Sequence, residues 1–565
     1  MEYFRQQLAL KIAPHMDLPV QTVRAMMEDP PNSAWGDVAL PCFALAKQRR
    51  QSPASIAAKL ASEVDLSALA SKVEAMGGYL NITFASHLVA QEIMTGLQNE
   101  EHLYGNTKPG MGKNIVIDFS SPNIAKPFGI GHLRTTVIGH SLSRIFAELG
   151  YGVVRVNHLG DWGTQFGKLI VAYELYGEGD PLVENAVDKL FRLYVRFHQE
   201  AEQNPALENA AREYFRRLEA GDPYVRKYWE LFKTVSLAEF QRVYDLLGIT
   251  FDHFLGESFY EPFLAPVVQQ IEAQGLATLS DGALIVDLEA QGLPPMLLKK
   301  SDGATLYATR DLAAALYRQR THAPHLLLYV VGQEQTLVFK QLAAVLKLMG
   351  EAAGDKVVHV SFGLFKFPEG RMSTRRGNII FLEDVLAKSI ELALAIIDSK
   401  NPALEDKQAV AEKVGVGAII FGDLKHGRIK DVTFDWEEML NFDGETGPYL
   451  QYTHARACAV LRKAAGLSRE SRHLDTLTDE YALPLIKQLS EFAPAIEKAA
   501  ADFEPSVVAR YILDLAQEFN RFYHHCRIIG GDEEVQSTRL SIVYATKVVL
   551  ARGLYLLGLS AVERM

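Results

Sequence analysis

One stretch narrows the possible folds more than any other: from Asn114 to Val156 the chain reads strand, turn, helix, turn, strand. Asn114-Ile-Val-Ile-Asp-Phe119 is a short apolar run rich in β-branched residues, the pattern of a buried strand. Leu133, Val137, Ile138, Leu142, Ile145, Phe146 and Leu149 then recur at helical spacing, leaving Arg134, Thr135, His140 and Arg144 elsewhere, so an amphipathic helix is expected. Gly150 stands where such a helix stops, and Val153-Val-Arg-Val156 begins a second strand. This is a βαβ unit, the start of an open parallel sheet.

Sheets of this kind bind ligands at the carboxyl ends of their strands. The turn there holds Pro127, Gly129 and Gly131, and glycine lets backbone approach a ligand closely. The following helix N-terminus offers N–H groups to an anion, and Lys126 and His132 can add positive charge. A nucleoside triphosphate suits such a turn, although the glycine spacing alone fits an ordinary strand-to-helix turn equally well.

The segment Ser121-Pro-Asn-Ile-Ala-Lys-Pro-Phe-Gly-Ile-Gly-His-Leu-Arg134 resembles the His-Ile-Gly-His signature of class I aminoacyl-tRNA synthetases. Its flank, Ser121-Pro-Asn-x-Ala-Lys-Pro127, is similar to the form found in arginyl-tRNA synthetases. The first histidine of the signature is Gly129 here. A second segment, Gly370-Arg-Met-Ser-Thr-Arg-Arg-Gly-Asn378, resembles the Lys-Met-Ser-Lys-Ser loop of the same class. Met372 and Ser373 match it strictly, Arg371 stands for the first lysine, and Thr374 replaces the second. In the arginyl family a lysine ahead of the first signature substitutes for that missing one, which here is Lys126.

At 565 residues the chain is long enough for several cores. Apolar residues at 48% and charged residues at 22% describe a globular protein, and no run of about eighteen apolar residues suggests a membrane span. The N-terminus lacks a signal pattern, and three scattered cysteines (Cys42, Cys458, Cys526) form neither a disulfide framework nor zinc spacing, so a reducing cytoplasm is expected. A net charge of −11 argues against generic coating of nucleic acid but leaves room for a local, shaped RNA contact.

Four regions are expected. Residues 1–108 read as a small α/β or α+β module, similar through Ala34 to Ala46 and Gly77 to Ile82 to the additional N-terminal domain of arginyl enzymes, which touches the outer corner of tRNA. Residues 113–365 form the Rossmann-like parallel-sheet catalytic domain, with a helical insertion over about 176–290 in which Val187–Leu218 and Val225–Leu247 are long helical stretches. Further strands are expected at Ala283–Leu288, Leu326–Val331 and Val357–Phe362. Residues 366–435 carry the second signature and a helical connection. Residues 436–565 resemble the family's all-α anticodon-binding bundle, in which Phe519, Phe522 and Tyr523 are expected in the core and Tyr555 is left open.

The resemblance implies that arginine and ATP give arginyl-adenylate and pyrophosphate, followed by transfer to the terminal ribose of tRNA(Arg). It assigns Lys126, His132, Arg371, Ser373 and Arg375 to catalysis, and Pro127, Gly129, Gly131, His132 and Met372 to ATP, with Mg2+ accompanying the phosphates. Guanidinium selection requires carboxylates in a fixed fork. Glu257 and Asp311 match the family's side-chain pocket, with Tyr307 four residues before Asp311 on one helical face. Asn123 and Gln335 match positions that hold the α-amino end, and His158 and Asp161 are further arginine-binding candidates. Tyr555 and Met565 are candidates for tRNA contact, and family analogy implies a monomer. Two other readings compete. Gly129 and Thr374 motivate a catalytically silent paralogue acting as an RNA-binding or regulatory module; a tRNA-independent adenylyltransferase is opposed by the C-terminal bundle.

Overall fold

The computed structural model describes residues 2–99, 107–301, 307–366, 380–468 and 480–565. Arg371, Met372, Ser373 and Arg375 lie outside the described residues.

A five-stranded parallel sheet forms the centre: β1 (Asn114–Asp118), β2 (Gly152–Asn157), β3 (His253–Phe254), β4 (Leu326–Tyr329) and β5 (Val357–His359), in the order β5-β4-β1-β2-β3. β1 is central, and all its residues after Asn114 are buried, as a strand covered on both faces requires. The strand order reverses between β1 and β4, where Asp118 pairs with both Tyr329 and Val156 in register. That is the switch point of a doubly wound sheet, and the crevice outside it is the expected ligand site.

The expected helix runs Leu133–Glu148 and ends at Gly150 with φ +81°, a left-handed C-terminal stop. It is not amphipathic in place: Arg134, Thr135 and His140, expected on a polar face, are buried too. The C-terminal bundle covers that face. Ser141 donates to the carbonyl of Leu556 at 2.9 Å, Arg144 to that of Tyr555 at 2.6 Å, and Glu148 pairs with Arg552. Arg134 forms a fully buried ion pair with Asp423 at 2.7 Å. On the sheet side Gly139 has no room for a side chain, because a Cβ there would lie 2.3 Å from Phe119.

The stretch Val187–Leu218 is two helices, Ala186–Gln203 and Ala206–Glu219, broken at Asn204-Pro205. They form a helical crossover with Pro223–Leu247, whose N-cap Asp222 accepts from Tyr224. The later part of the region around 176–290 carries strands, among them edge strand β3 just before Glu257 and an antiparallel hairpin. Ala283–Val286 is a strand, but in a separate three-stranded sheet with Ala277–Ser280 and Met296–Lys299.

The N-terminal module is α+β: an antiparallel sheet of Val38–Pro41, Tyr79–Phe84 and Ala70–Met76 packed by helices. Lys487 on the bundle pairs with its Asp37 at 2.5 Å. After Leu382–Lys400 and Lys407–Leu424 the chain closes as a helical bundle from Gly447–Lys463 to Glu533–Leu556. Phe519 and Phe522 are core residues as expected; Tyr523 is not, being 36% exposed beside the Arg456 guanidinium.

Candidate active site

Beyond β1 the chain turns through Ser120, Ser121 and Ala125 at φ +71°, +47° and +59°, so the backbone strain falls there. Gly129 is extended (φ −78°, ψ 161°) and does not use glycine's freedom. Hydroxyls hold the turn. Thr135 accepts from the N–H of Ser120 and donates to the Val330 carbonyl, while Ser120 Oγ meets Tyr244 Oη at 2.8 Å. The loop after β2 pairs with this turn: Ile124 donates to the carbonyl of Gly160, and Gly160 to that of Pro122. A Cβ on Gly160 would lie 2.1 Å from Asn123 Oδ1, so glycine here admits the Asn123 side chain, on an otherwise exposed residue.

The first signature is also tied to the segment that follows the second. Ile130 donates to Ile380 and Leu382 donates to Phe128, both at 3.0 Å, bridging Gly129 and Phe381. The N–H groups of Gly129, Ile130, His132 and Leu133 all donate within the protein: Gly129 to Pro127, Ile130 to Ile380, and the last two to Gly129 and Ile130 in a 3₁₀ turn (Ile130–His132) that precedes the helix. The helix end therefore offers an anion fewer backbone donors than the sequence pattern suggested. Positive and donor capacity rests on side chains. His132 stacks on Phe128 with ring centres 5.3 Å apart, and its Nδ1 lies 3.3 Å from the Gly129 carbonyl. Burial lowers its pKa, the contact with Gly129 opposes this, and the charge of Lys126 adds to the lowering, so a neutral imidazole is favoured at neutral pH. Lys126 Nζ is 5.6 Å from the ring of Tyr194 on the crossover helix Ala186–Gln203.

The other end of the crevice is acidic. Glu257 opens the helix Glu257–Ala273 just beyond β3, its N–H donating to the Leu159 carbonyl. Burial raises its pKa to about 8, reinforced by Asp161, Asp311 and Glu261 against the opposing charge of Arg310. Its Oε2 is buried without a hydrogen-bond partner among the described residues. Asp311 lies one helical turn after Tyr307, which starts the helix Tyr307–His322 and is 61% exposed. Burial and the charge of Asp118 raise Asp311 to about 7, against Arg318 and Arg310. His158 stacks on Tyr260 at 5.4 Å, and burial lowers its pKa to about 4, so it is a neutral wall.

Asp161, expected among the arginine ligands, is fully buried and its carboxylate is already engaged. It accepts from the N–H and hydroxyl of Ser258, both at 2.8 Å, and pairs with Lys233 at 2.7 Å. Its carboxylate holds the first turn of the helix that Glu257 opens. Gln335 ends the short turn after β4 and is exposed. Tyr555 and Met565 are apart from the crevice. Tyr555, 53% exposed, stacks on Arg144 at 4.2 Å; the carbonyl of Met565 accepts from Asn401 at 3.2 Å.

The sequence reading missed the buried pair of Asp118 and Arg318, 2.7 Å apart at the switch point. Asp118 had a signal, a carboxylate ending the central strand. Arg318, one of several polar residues in its helix, had none. Lys233 was equally hidden in a charged helix.

A switch-point sheet with a signature turn on one strand end defines the class. Residues 92–436 match the family model described as "tRNA synthetases class I (R), catalytic domain". Residues 2–84 match "Arginyl tRNA synthetase N terminal domain" and residues 450–565 "DALR anticodon binding domain". The arginine–tRNA ligase of Halothermothrix orenii is 45% identical over 563 residues, covering 100% of both chains, and that of Exiguobacterium sibiricum is 48% identical over 545 residues, covering 96% of each. The Thermus thermophilus arginyl-tRNA synthetase structure superposes with a TM-score of 0.84 at 27% identity, over 99% of this chain and 100% of that one. The chain belongs to the arginyl-tRNA synthetase family.

Proposed function

We propose that this protein is an arginine–tRNA ligase: it joins L-arginine to the α-phosphate of ATP, releasing pyrophosphate, and passes the arginyl group to the 3′-terminal ribose of tRNA(Arg), releasing AMP. One observation carries the reading. Glu257 presents a buried, unpartnered carboxylate oxygen within electrostatic reach of Asp311, and burial holds both acids near neutrality. A guanidinium is planar, permanently charged and weakly hydrated, and it satisfies such acids in a fork. A neutral amino acid would leave them unpaired, which underlies the selectivity. Tyr307 adds a ring and hydroxyl, and Asn123 and Gln335 receive the α-amino end.

The arginine carboxylate, ionised at neutral pH, attacks phosphorus without a general base, so the protein's work is positioning and charge neutralisation. Lys126 as a cation meets the phosphates beside Pro127, Gly129 and Gly131; His132, whose Nδ1 is taken by the Gly129 carbonyl, joins it as the imidazolium that phosphate charge favours, with Nε2–H as the donor, and Arg371, Met372, Ser373 and Arg375 are assigned to the same phosphates. Among the described residues no three acidic, histidine or cysteine side chains converge as a metal cage, so the proposal leaves Mg2+ to the phosphates and routes no step through it.

For tRNA the bundle offers a cavity of about 450 Å³ lined by Tyr452, Arg456, Tyr523 and Met565. Arg456 stands 4.9 Å from the ring of Tyr452 and 5.1 Å from that of Tyr523, an arrangement suited to an unstacked base. Tyr555 is a second contact. No helix among the described residues is long and apolar enough to cross a membrane, and the three cysteines are buried without a disulfide. The proposal therefore keeps a reducing cytoplasm and, by family analogy, a monomer. The buried acid pair favours catalysis over the silent-paralogue reading. Charging of total tRNA with labelled arginine and ATP tests it: arginine-specific charging is expected, and its absence with intact tRNA would sink the proposal.

A further inference from the structure

The helix Pro223–Leu247 touches both ends of the crevice with one face, formed by Trp229, Lys233, Ser236, Phe240 and Tyr244. At the phosphate end Ser236 accepts from the N–H of Ala125 at 2.8 Å, and Phe240 and Tyr244 pack on Phe128 with centroids 5.5 and 5.4 Å away. At the arginine end Trp229 Nε1 donates to the Asp161 carbonyl and Lys233 Nζ meets the Asp161 carboxylate, both at 2.7 Å. The Asp161 carboxylate in turn holds Ser258, the residue after Glu257, by its N–H and its hydroxyl. The fit is tight: a Cβ on Gly256 would lie 2.3 Å from Asp161 Oδ2.

We propose that Lys233 and Asp161 are a positioning pair for arginine selection, fixing the first turn of the Glu257–Ala273 helix and the local charge that Glu257 experiences. Neither residue touches arginine; both act through Glu257, so the inference rests on the reading that Glu257 receives the guanidinium. Among the described residues the charged groups facing Glu257 are Asp161, Asp311 and Glu261, which hinder its ionisation, and Arg310, which favours it. Lys233 offsets the charge of Asp161, which hinders Glu257 more than Asp311 or Glu261 does. The sign follows. Without the Lys233 charge, Asp161 stands uncompensated and Glu257 ionises at higher pH. Without the Asp161 charge, Lys233 stands uncompensated and Glu257 ionises at lower pH. A scaffold role would not move the two variants in opposite directions.

The test uses the full-length protein and the pH dependence of kcat/KM for arginine in tRNA charging, for wild type, Lys233→Met, Asp161→Asn, Lys233→Arg and Glu257→Gln. Lys233→Met is expected to raise arginine KM roughly tenfold near neutral pH and displace the midpoint upward by about 0.5 or more, with ATP KM within about threefold of wild type. Asp161→Asn keeps an acceptor for Ser258 and displaces the midpoint downward; Lys233→Arg restores the wild-type profile. Should Lys233→Met fail to fold, the downward displacement in Asp161→Asn decides the matter alone. Displacement in one common direction, or none, while Glu257→Gln removes the upper titration and leaves that of Asp311, overturns the positioning pair. A Glu257→Gln profile identical to wild type overturns the Glu257 reading and the pair with it, whereas absence of arginine charging in the wild type strikes the activity itself.

Discussion

The two ends of the crevice are prepared in opposite ways. At the phosphate end four backbone donors are already used: Gly129 donates to Pro127, Ile130 to Ile380, and His132 and Leu133 to Gly129 and Ile130 in the 3₁₀ turn. Charge there comes from side chains around a finished scaffold. At the arginine end the scaffold is saturated beneath, at Asp161, while the wall carries an acceptor with no donor among the described residues, Glu257 Oε2. A buried acceptor left open costs stability, and a ligand cation that fills it converts that cost into affinity and selectivity. Among the described residues of the phosphate end no buried side-chain oxygen is left open in this way, which suits a triphosphate that must bind, break and leave.

That contrast is breakable. Asp311→Ala removes one of two acids from a desolvated site and is expected to raise arginine KM by about 300-fold or more, of the order seen when one partner of a buried charge pair is lost. ATP KM should change little and the far-ultraviolet circular dichroism not at all; unchanged arginine kinetics would refute the pocket. Lys126→Ala should do the reverse, lowering kcat of activation by roughly 100-fold with little change in arginine KM. An effect within about threefold would mean that Lys126 does not stand in for the lysine replaced by Thr374. Tyr523→Ala should affect neither end: tRNA KM rises roughly tenfold through lost base stacking, with arginine and ATP constants held. If arginine KM moves with it, the bundle cavity is coupled to the crevice and the two-ended description is incomplete.

The same contrast explains what the sequence revealed. The phosphate end is local: Lys126 to His132 sit on one strand–turn–helix unit, so periodicity and glycine spacing outline it. Even there the sequence misjudged detail, since Gly129 is extended and the strain sits on Ser120, Ser121 and Ala125. The arginine end is assembled from β1, the loop after β2 and two separate helices. Each acid alone reads as a surface residue, and only resemblance to the family picked out Glu257 and Asp311. The engagement of Asp161 was hidden, because its partners Lys233 and Ser258 come from distant elements. The signature helix looked amphipathic because its second covering, the C-terminal bundle around Leu556, is more than 400 residues away in sequence. Tyr523 failed for the converse reason: helical spacing cannot tell core from the rim of a cavity.

The central claim is that arginine is taken by acids held near neutrality until the guanidinium arrives. Free Glu257 and Asp311 titrate at about 8 and about 7, and a bound cation lowers both, so binding at neutral pH must expel protons and strengthen as pH rises to about 8. Calorimetric titration of arginine at pH 7, in two buffers of different ionisation enthalpy with a non-hydrolysable ATP analogue present, measures that release directly. Net proton release that disappears in the Glu257→Gln, Asp311→Asn double variant is the predicted result; binding of equal strength with no proton released would contradict the account.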